Sequence, residues 1–343
     1  MFKKCWLILV AIFVLMVISV KAAPKKEIIR VGFFPNITHA QAILGMADGT
    51  FQKNLGKEIE IKKYVFNAGP SVIEAMLARQ LDLAYIGPNP AINGYLKTKG
   101  TLLKIIAGAA SGGAALVLRA DLGIKSVKQL EGLKIASPQI GNTQDVALRY
   151  FLKNNGFKLR EQGGKVEAIP ISNPDQLNLF LKKEIDGAWT VEPWVSRLKA
   201  EAGGVIFLDE RSLWPKGKFV TAHIIVSQTY LKKNPTRVKR WLQAHVQITQ
   251  GINSNKAMAV KILNRELKRI TGSSLPDRIL TEAFDNLDLT YDPLPESLYV
   301  SAGRAYELGF LGKSRPDLSK IYDLRLLNEV LKDLRLPPVG MDE

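Results

Sequence analysis

Cysteine is almost missing from this chain: the single copy is Cys5, inside an apolar stretch at the N-terminus. The rest of the chain therefore has no disulfide framework, no thiolate nucleophile and no cysteine-ligated metal. Histidine is scarce too, with three copies, and none belongs to an H-E-x-x-H helix. There is no G-x-S-x-G elbow, no G-x-G-x-x-G turn, no phosphate-cradling loop ending in Lys-Ser/Thr and no evident carboxylate pair. No catalytic residue, metal ligand or cofactor is expected. Short-period repeats and low-complexity tracts are also lacking, and 343 residues with 46% hydrophobic and 8% aromatic side chains make a globular composition with room for two ordinary domains.

What is present begins with an address. Met1-Phe2-Lys3-Lys4 precedes an apolar run from Cys5 to Val20, and Val20-Lys21-Ala22 places small or aliphatic residues for cleavage after Ala22. This is the layout of a secretory signal over residues 1–22. The run is short of the ~20 residues that a membrane-spanning helix needs, and an uncleaved anchor is the alternative. Cys5 lies too early for lipid attachment after cleavage. With 48 basic and 32 acidic side chains the formal charge is +16; such a surface attracts anions, or simply keeps a basic protein soluble. Lys and Arg are dispersed along helices, so nucleic acid is not an expected partner.

From Ile28 onward, β-branched runs alternate with helical stretches. "IIRVGFF", "EIEIKKYVF" and "LDLAYIG" read as strands separated by the helices "THAQAILGMADGTF" and "PSVIEAMLARQ". A second series follows, with strands "ALVLRA", "LKIASP", "KVEAIPI" and "IDGAWTV" among the helices "TQDVALRYFLKNNGF", "PDQLNLFLKKE" and "PWVSRLKAEAG". After "FVTAHIIVS" the remainder reads as nearly all helical. This pattern predicts an α/β protein with largely parallel sheets, in two lobes with a helical C-terminal tail. Open α/β sheets bind ligands beyond the carboxyl ends of their strands, so those ends are the places to inspect.

After the first strand, Asn36 caps a helix whose first free N–H groups belong to Thr38 and His39. After the second comes Asn67-Ala68-Gly69-Pro70-Ser71, with Pro70 at the first helical position and the Ser71 hydroxyl beside unpaired N–H groups. Gly87-Pro88-Asn89-Pro90 follows the third. Gly141-Asn142-Thr143-Gln144-Asp145 follows "LKIASP", and Glu192-Pro193-Trp194 follows "IDGAWTV". Each of these is an ordinary cap by itself. Several converging termini, each with free N–H donors and about half a positive charge, would suit an oxyanion. Ala110-Ser111-Gly112-Gly113-Ala114 either lets backbone approach a ligand or frees a hinge.

The blocks "GFFPNITHAQAILG", "FNAGPSVIEAMLA", "DLAYIGPNPAINGY", "AGAASGGAALVLR", "PQIGNTQDVALRYFL", "DGAWTVEPWVSRL" and "FVTAHIIVS" together resemble periplasmic substrate-binding proteins of ABC importers in the nitrate, sulfonate and taurine group, nearest to the aliphatic sulfonate-binding members. The resemblance covers essentially the whole mature chain. It implies a type II periplasmic-binding fold: two α/β lobes joined by two crossover strands, with residues 27–111 and 222–343 in the first lobe and 112–221 in the second. It implies a monomer in the periplasm that closes on a small anion and delivers it to an inner-membrane permease with its ATPase. The ligand set it implies is Asn36, Thr38, His39, Gly69, Ser71, Pro88 and Asn89 from the first lobe; Ser111 and Gly112 at the hinge; Gly141, Asn142, Thr143, Gln144, Trp189 and Glu192 from the second lobe; and His223 on the return crossover. "WTVEPW" departs from the more usual "WVPEPW" at Thr190-Val191.

A sulfonate is a permanent anion with three equivalent acceptor oxygens, so neutral N–H and O–H donors such as Asn142, Thr143 and Ser71 would satisfy it. Trp189 or Trp194 would cover an alkyl part, or belong to the core. Glu192 would bind a substrate amine, pair with a base across the cleft, or cap its helix. His39 and His223 are donors to an anion or satisfied structural side chains; His245 has no role assigned. An enzyme similar in fold, a pyrimidine-precursor synthase, is the rival from another class, but the cysteine-rich, histidine-containing motif of those enzymes is absent. A sensor lobe for a membrane kinase is a third reading, and nitrate, taurine or another small anion are alternative ligands.

Overall fold

The computed structural model describes residues 26–340, and the secretory signal read over residues 1–22 lies outside the described residues. The strands in chain order are β1 (Glu27–Phe33), β2 (Ile59–Val65), β3 (Leu83–Ile86), β4 (Leu103–Gly112), β5 (Ala114–Arg119), β6 (Lys134–Ser137), β7 (Glu167–Pro170), β8 (Gly187–Val191), β9 (Gly204–Asp209), β10 (Val220–Ser227) and β11 (Leu287–Leu289). They form two sheets. One has the order β11-β4-β10-β3-β1-β2 and the other β7-β6-β8-β5-β9, each flanked by helices.

The alternation of strand side chains explains how each sheet is covered on both faces. Leu83 and Tyr85 of β3 point into a core with Trp241 and Leu242 of the helix Pro235–Ser254, while Ala84 and Ile86 point into the opposite one with Val72 and Ile92. In the second sheet Leu116 and Leu118 meet Leu148 and Phe151 of the helix Thr143–Asn154. Ala115 and Val117 meet Phe180 and Leu198 on the other face. Both sheets are mixed. β1 pairs in parallel with β2 and β3, and β6 with β7 and β8, but β10 runs antiparallel to β3 and β4, and β5 antiparallel to β8 and β9. The expectation of largely parallel sheets is thus corrected, because the strands that carry the chain between sheets enter each of them in the reverse sense.

The two crossings lie side by side. β4 ends at Gly112 and β5 begins at Ala114, while the return runs from Asp209 to Val220 through the short 3-10 turns Glu210–Leu213 and Pro215–Gly217. Gly112 N–H donates to Phe219 O (3.2 Å), and Thr221 Oγ1 donates to Gly112 O (2.6 Å). β4 itself escapes the sequence reading: "LKIIAGAASG" is buried along nearly its whole length as a central strand and so shows no alternation. β9 and β11 are also unpredicted, β11 being a three-residue strand within the stretch expected to be helical.

The C-terminal region touches both lobes. The helix Asp277–Asp285 packs on Trp194–Ala202, and Pro295–Glu307 packs on both Pro88–Lys97 and Thr143–Asn154. The connecting segment crosses β4 at Gly108, whose N–H donates to Tyr291 O and whose carbonyl accepts from His245 Nε2. A Cβ at Gly108 would lie 1.9 Å from the Asp292 carbonyl oxygen. Gly108→Ala therefore forces backbone apart and should cost about 2–3 kcal/mol, read as a lowered urea midpoint with an unchanged slope.

Candidate functional site

The carboxyl ends of β1, β3, β6 and β8 and the start of β10 surround a small cavity of about 20 Å³ between the two sheets. That volume holds roughly one water, so the two sides are closed on each other. From the first sheet come Phe34, Asn36, Thr38, His39, Asn67 and Gly87. The second sheet contributes Pro138, Asn142, Thr143, Gln144, Asn173 and Val191, and the return crossing supplies Thr221. None of these lining side chains carries a formal charge, apart from what His39 could acquire by protonation.

The wall at Gly141–Gln144 is built from the inside. Asp145 is fully buried, and its carboxylate accepts from Ser137 Oγ (2.8 Å), Gly141 N–H (2.9 Å) and Arg149 Nε (2.9 Å). It locks the turn to β6 and to its own helix. Asn142 then caps the helix Thr143–Asn154, its Oδ1 accepting from Gln144 N–H at 3.0 Å. Thr143 Oγ1 is buried with no hydrogen-bond partner. A Cβ on Gly87 would lie 2.4 Å from that hydroxyl, so the absence of a side chain at Gly87 is what allows the helix starts Thr143 and Pro88 to approach across the cleft. A third helix, Asn173–Leu181, also begins at the cavity. Its Asn173 Oδ1 takes the Thr190 hydroxyl (3.2 Å), which leaves the amide nitrogen of Asn173 outside that bond. The helix starts at Thr143 and Asn173 thus bring unpaired N–H donors to one place, and the start at Pro88, where Pro88 and Pro90 have no N–H, adds partial positive charge.

On the opposite wall, Phe34 N–H donates to His39 Nδ1 (3.1 Å). The ring proton of the neutral imidazole is therefore on Nε2, where it serves as a donor. Complete burial lowers the His39 pKa to about 3, so the ring stays neutral. Asn36 Oδ1 accepts from Trp194 Nε1 at 3.0 Å, a bond that joins the two lobes directly.

Of the expected site residues, Asn36, Thr38, His39, Asn142, Thr143 and Gln144 line the cavity together. The others do not, and each has a visible reason. Trp189 is fully buried in the second-sheet core against Phe151, with Nε1 donating to Glu210 (2.7 Å). Glu192 caps the helix Trp194–Ala202 through Ser196 N–H and Oγ, and takes Asn286 Nδ2 at 2.6 Å. His223 Nε2 donates to Pro293 O at 2.8 Å inside the first lobe. Gly69 packs against Pro90, Ser71 is half-exposed, and Ser111 and Gly112 belong to the crossing. Gly141 spends its N–H on Asp145. Pro88 opens its helix beside Gly87, and Asn89 lines a smaller void of about 10 Å³ with Thr143, Glu210 and Arg304. Sequence reasoning misses Phe34, Asn67, Gly87, Pro138, Asn173, Val191 and Thr221 as wall residues, although Phe34, Asn67 and Gly87 stand at strand ends that it singles out.

A family model described as the NMT1-like family matches residues 22–264. The chain belongs to the NMT1-like family. Among curated relatives, the taurine-binding periplasmic protein of Escherichia coli (strain K12) is 24% identical over 220 residues, 64% of this chain and 65% of that one. A Brucella abortus (strain 2308) protein, provisionally named a binding protein, is 29% identical over 204 residues, 60% of this chain and 61% of its own length. The match thus spans less than two thirds of either relative. Among solved structures, the alkanesulfonate-binding protein SsuA from Xanthomonas axonopodis pv. citri bound to MOPS superposes with a TM-score of 0.72 at 16% identity, covering 88% of this chain and 100% of that one. The periplasmic nitrate-binding protein NrtA from Synechocystis PCC 6803 gives 0.73 at 17% identity, covering 92% and 91%. The NMT1-like chain has the two-lobed α/β fold of these periplasmic binding proteins, with its helical C-terminal region.

Among the described residues, no helix is long and apolar enough to cross a membrane, and no group of His, Cys, Asp or Glu is placed to hold a metal ion. All three histidines of the NMT1-like chain are buried, and burial lowers His223 and His245 to about 4 and His39 to about 3. Below the unfolded value of 6.5 the unfolded chain binds protons that the folded chain refuses, so stability falls as the pH drops, by roughly 1.4 kcal/mol per unit for each imidazole. Burial also raises two carboxyls, Glu192 to about 7 and Glu210 above its ordinary value, and these act in the opposite sense: Glu192 removes stability as the pH rises from 4.5 to 7, and the two together offset part of the histidine contribution. The melting temperature should fall steadily from pH 6.5 to 4.5 in scanning calorimetry; a flat profile would show that the histidines are not held neutral.

Proposed function

We propose that this NMT1-like chain is the solute-binding component of an ABC import system, a periplasmic monomer that captures a small organic anion and delivers it to a membrane permease with its ATPase. Its lobes are residues 27–111 with 222–343, and residues 112–221. The ligand is an aliphatic sulfonate, its head held by Asn36, Thr38, His39, Asn142, Thr143 and Gln144, joined by Asn67, Asn173 and Thr221. The observation that carries this reading is an interlobe cavity at three helix N-termini whose polar side chains are all neutral. Donors of this kind suit an anion that never needs to be deprotonated by its site. The printed names of the relatives, binding proteins for taurine, alkanesulfonate and nitrate, support the same class.

A binding role is favoured over catalysis by the state of His39. Its Nδ1 is occupied by Phe34 N–H and its ring is neutral, which makes it a hydrogen-bond donor rather than a general base. A ligand at one hundred times its dissociation constant should add ~2.7 kcal/mol of stability. Thermal shifts with methanesulfonate, taurine, nitrate and sulfate esters test this, and no shift with any of them would overturn the receptor reading. Thr143→Val should weaken sulfonate binding by ~1–3 kcal/mol in calorimetry; unchanged affinity with a lowered melting temperature would make Thr143 a helix start and nothing more.

A further inference from the structure

A second compartment of about 350 Å³ adjoins the inner cavity on its outer side, and the two share Asn67. They also meet through the Asn36–Trp194 hydrogen bond, because Asn36 lines the inner space and Trp194 the outer one. One wall is Pro174 and Trp194 of the second lobe. The facing wall is Val65, at the end of β2, with Ile270 and Leu275 from the C-terminal region. We infer that this outer compartment is a subsite for the uncharged apolar or aromatic body of the ligand whose anionic head occupies the inner cavity. The inference rests on the proposed receptor function and narrows its aliphatic sulfonates to monoanions with an apolar body the size of a ring, for which a toluene group serves as the probe.

Three observations converge. First, the inner cavity has space for a water-sized group and none for a carbon skeleton, and the outer compartment meets it at Asn67. Second, the outer space is large enough for a ring, since an apolar cavity of about 150 Å³ accommodates benzene. Its lining is mostly apolar, and Val65 is 49% exposed, a hydrophobic side chain left open at the mouth. Third, the charge in this compartment is already matched. Arg197 gives its Nε and Nη2 to Glu201 (2.9 and 3.0 Å) and lies 4.7 Å over the Trp194 ring. The compartment therefore presents proline and aliphatic side chains beside the buried Trp194, whose ring Arg197 covers, with no unpaired cation for a second anionic group and no carboxylate in its lining for an amine.

Calorimetric titration of the mature protein with methanesulfonate, which is all head, and 4-toluenesulfonate, which adds a ring, tests the assignment. The native protein should prefer the ring-bearing anion by tenfold or more, and both Ile270→Ser and Val65→Ser should reduce the ratio of the two affinities about fivefold. Val65 is exposed, so its variant remains informative if the Ile270 variant folds poorly. Methanesulfonate binding with a native ratio near one, or a ratio that neither variant changes, overturns the outer subsite and leaves the receptor function standing. Binding of neither anion overturns both.

Discussion

The adjacency of the two backbone crossings governs the rest of the molecule. Because Gly112 bonds to both Phe219 and Thr221, the chain leaves the first sheet and returns to it at one place. That place sits between the carboxyl ends of both sets of parallel strands. Helices that follow those strands must begin there, with their unpaired N–H groups pointing across the gap. The polarity of the cleft is therefore a result of topology before any side chain is considered, and the side chains refine it. Gly87 lets two helix starts touch, Asn142 caps one of them, and the Asp145 carboxylate holds the intervening turn against β6.

In the proposed anion receptor the charge distribution separates attraction from recognition. The chain carries a formal +16, yet the wall of the inner cavity is neutral. Surface charge acts over long range and raises the encounter rate with anions. A cation buried in the cavity would need its own partner when the site is empty, at a cost in desolvation. Backbone dipoles carry no such cost because their opposite ends are already bonded within the helices. The charged groups near the wall follow the same logic: Asp145 is paired with Arg149, and Arg197 with Glu201.

Much of this was legible in sequence. The strand-helix alternation located most elements, and the residues after the first strand and after "LKIASP" turned out to be facing walls. What stayed hidden depended on depth and direction. Trp189 lies two residues short of the end of β8, about 7 Å down the strand, which puts it in the core while Val191 reaches the cleft. Thr221 and His223 are two apart on one strand and would ordinarily share a face. The pairing of β10 with β4 shifts register at Ala222–His223, and such irregularities re-aim side chains. Glu192 is in the ligand set implied by the resemblance, whereas its own residue-level readings include a helix cap, and the donors on Ser196 and Asn286 hold it in that role. The strand β4 left no alternating pattern because both of its faces are buried.

The hydrogen bond between Asn36 and Trp194 has an optical consequence. The indole N–H has its acceptor on the other lobe, so parting the lobes exchanges a fixed amide dipole for water and strips the ring of its neighbours from the first lobe. Indole emission follows the polarity around the ring; Trp189 and Trp241 are buried within lobe interiors, whereas Trp214, beside the crossing, carries Arg304 of the C-terminal region 4.0 Å over its ring. In the proposed receptor, opening of the cleft would thus be written into the protein's own fluorescence, with Trp194 and Trp214 as gauges of lobe position.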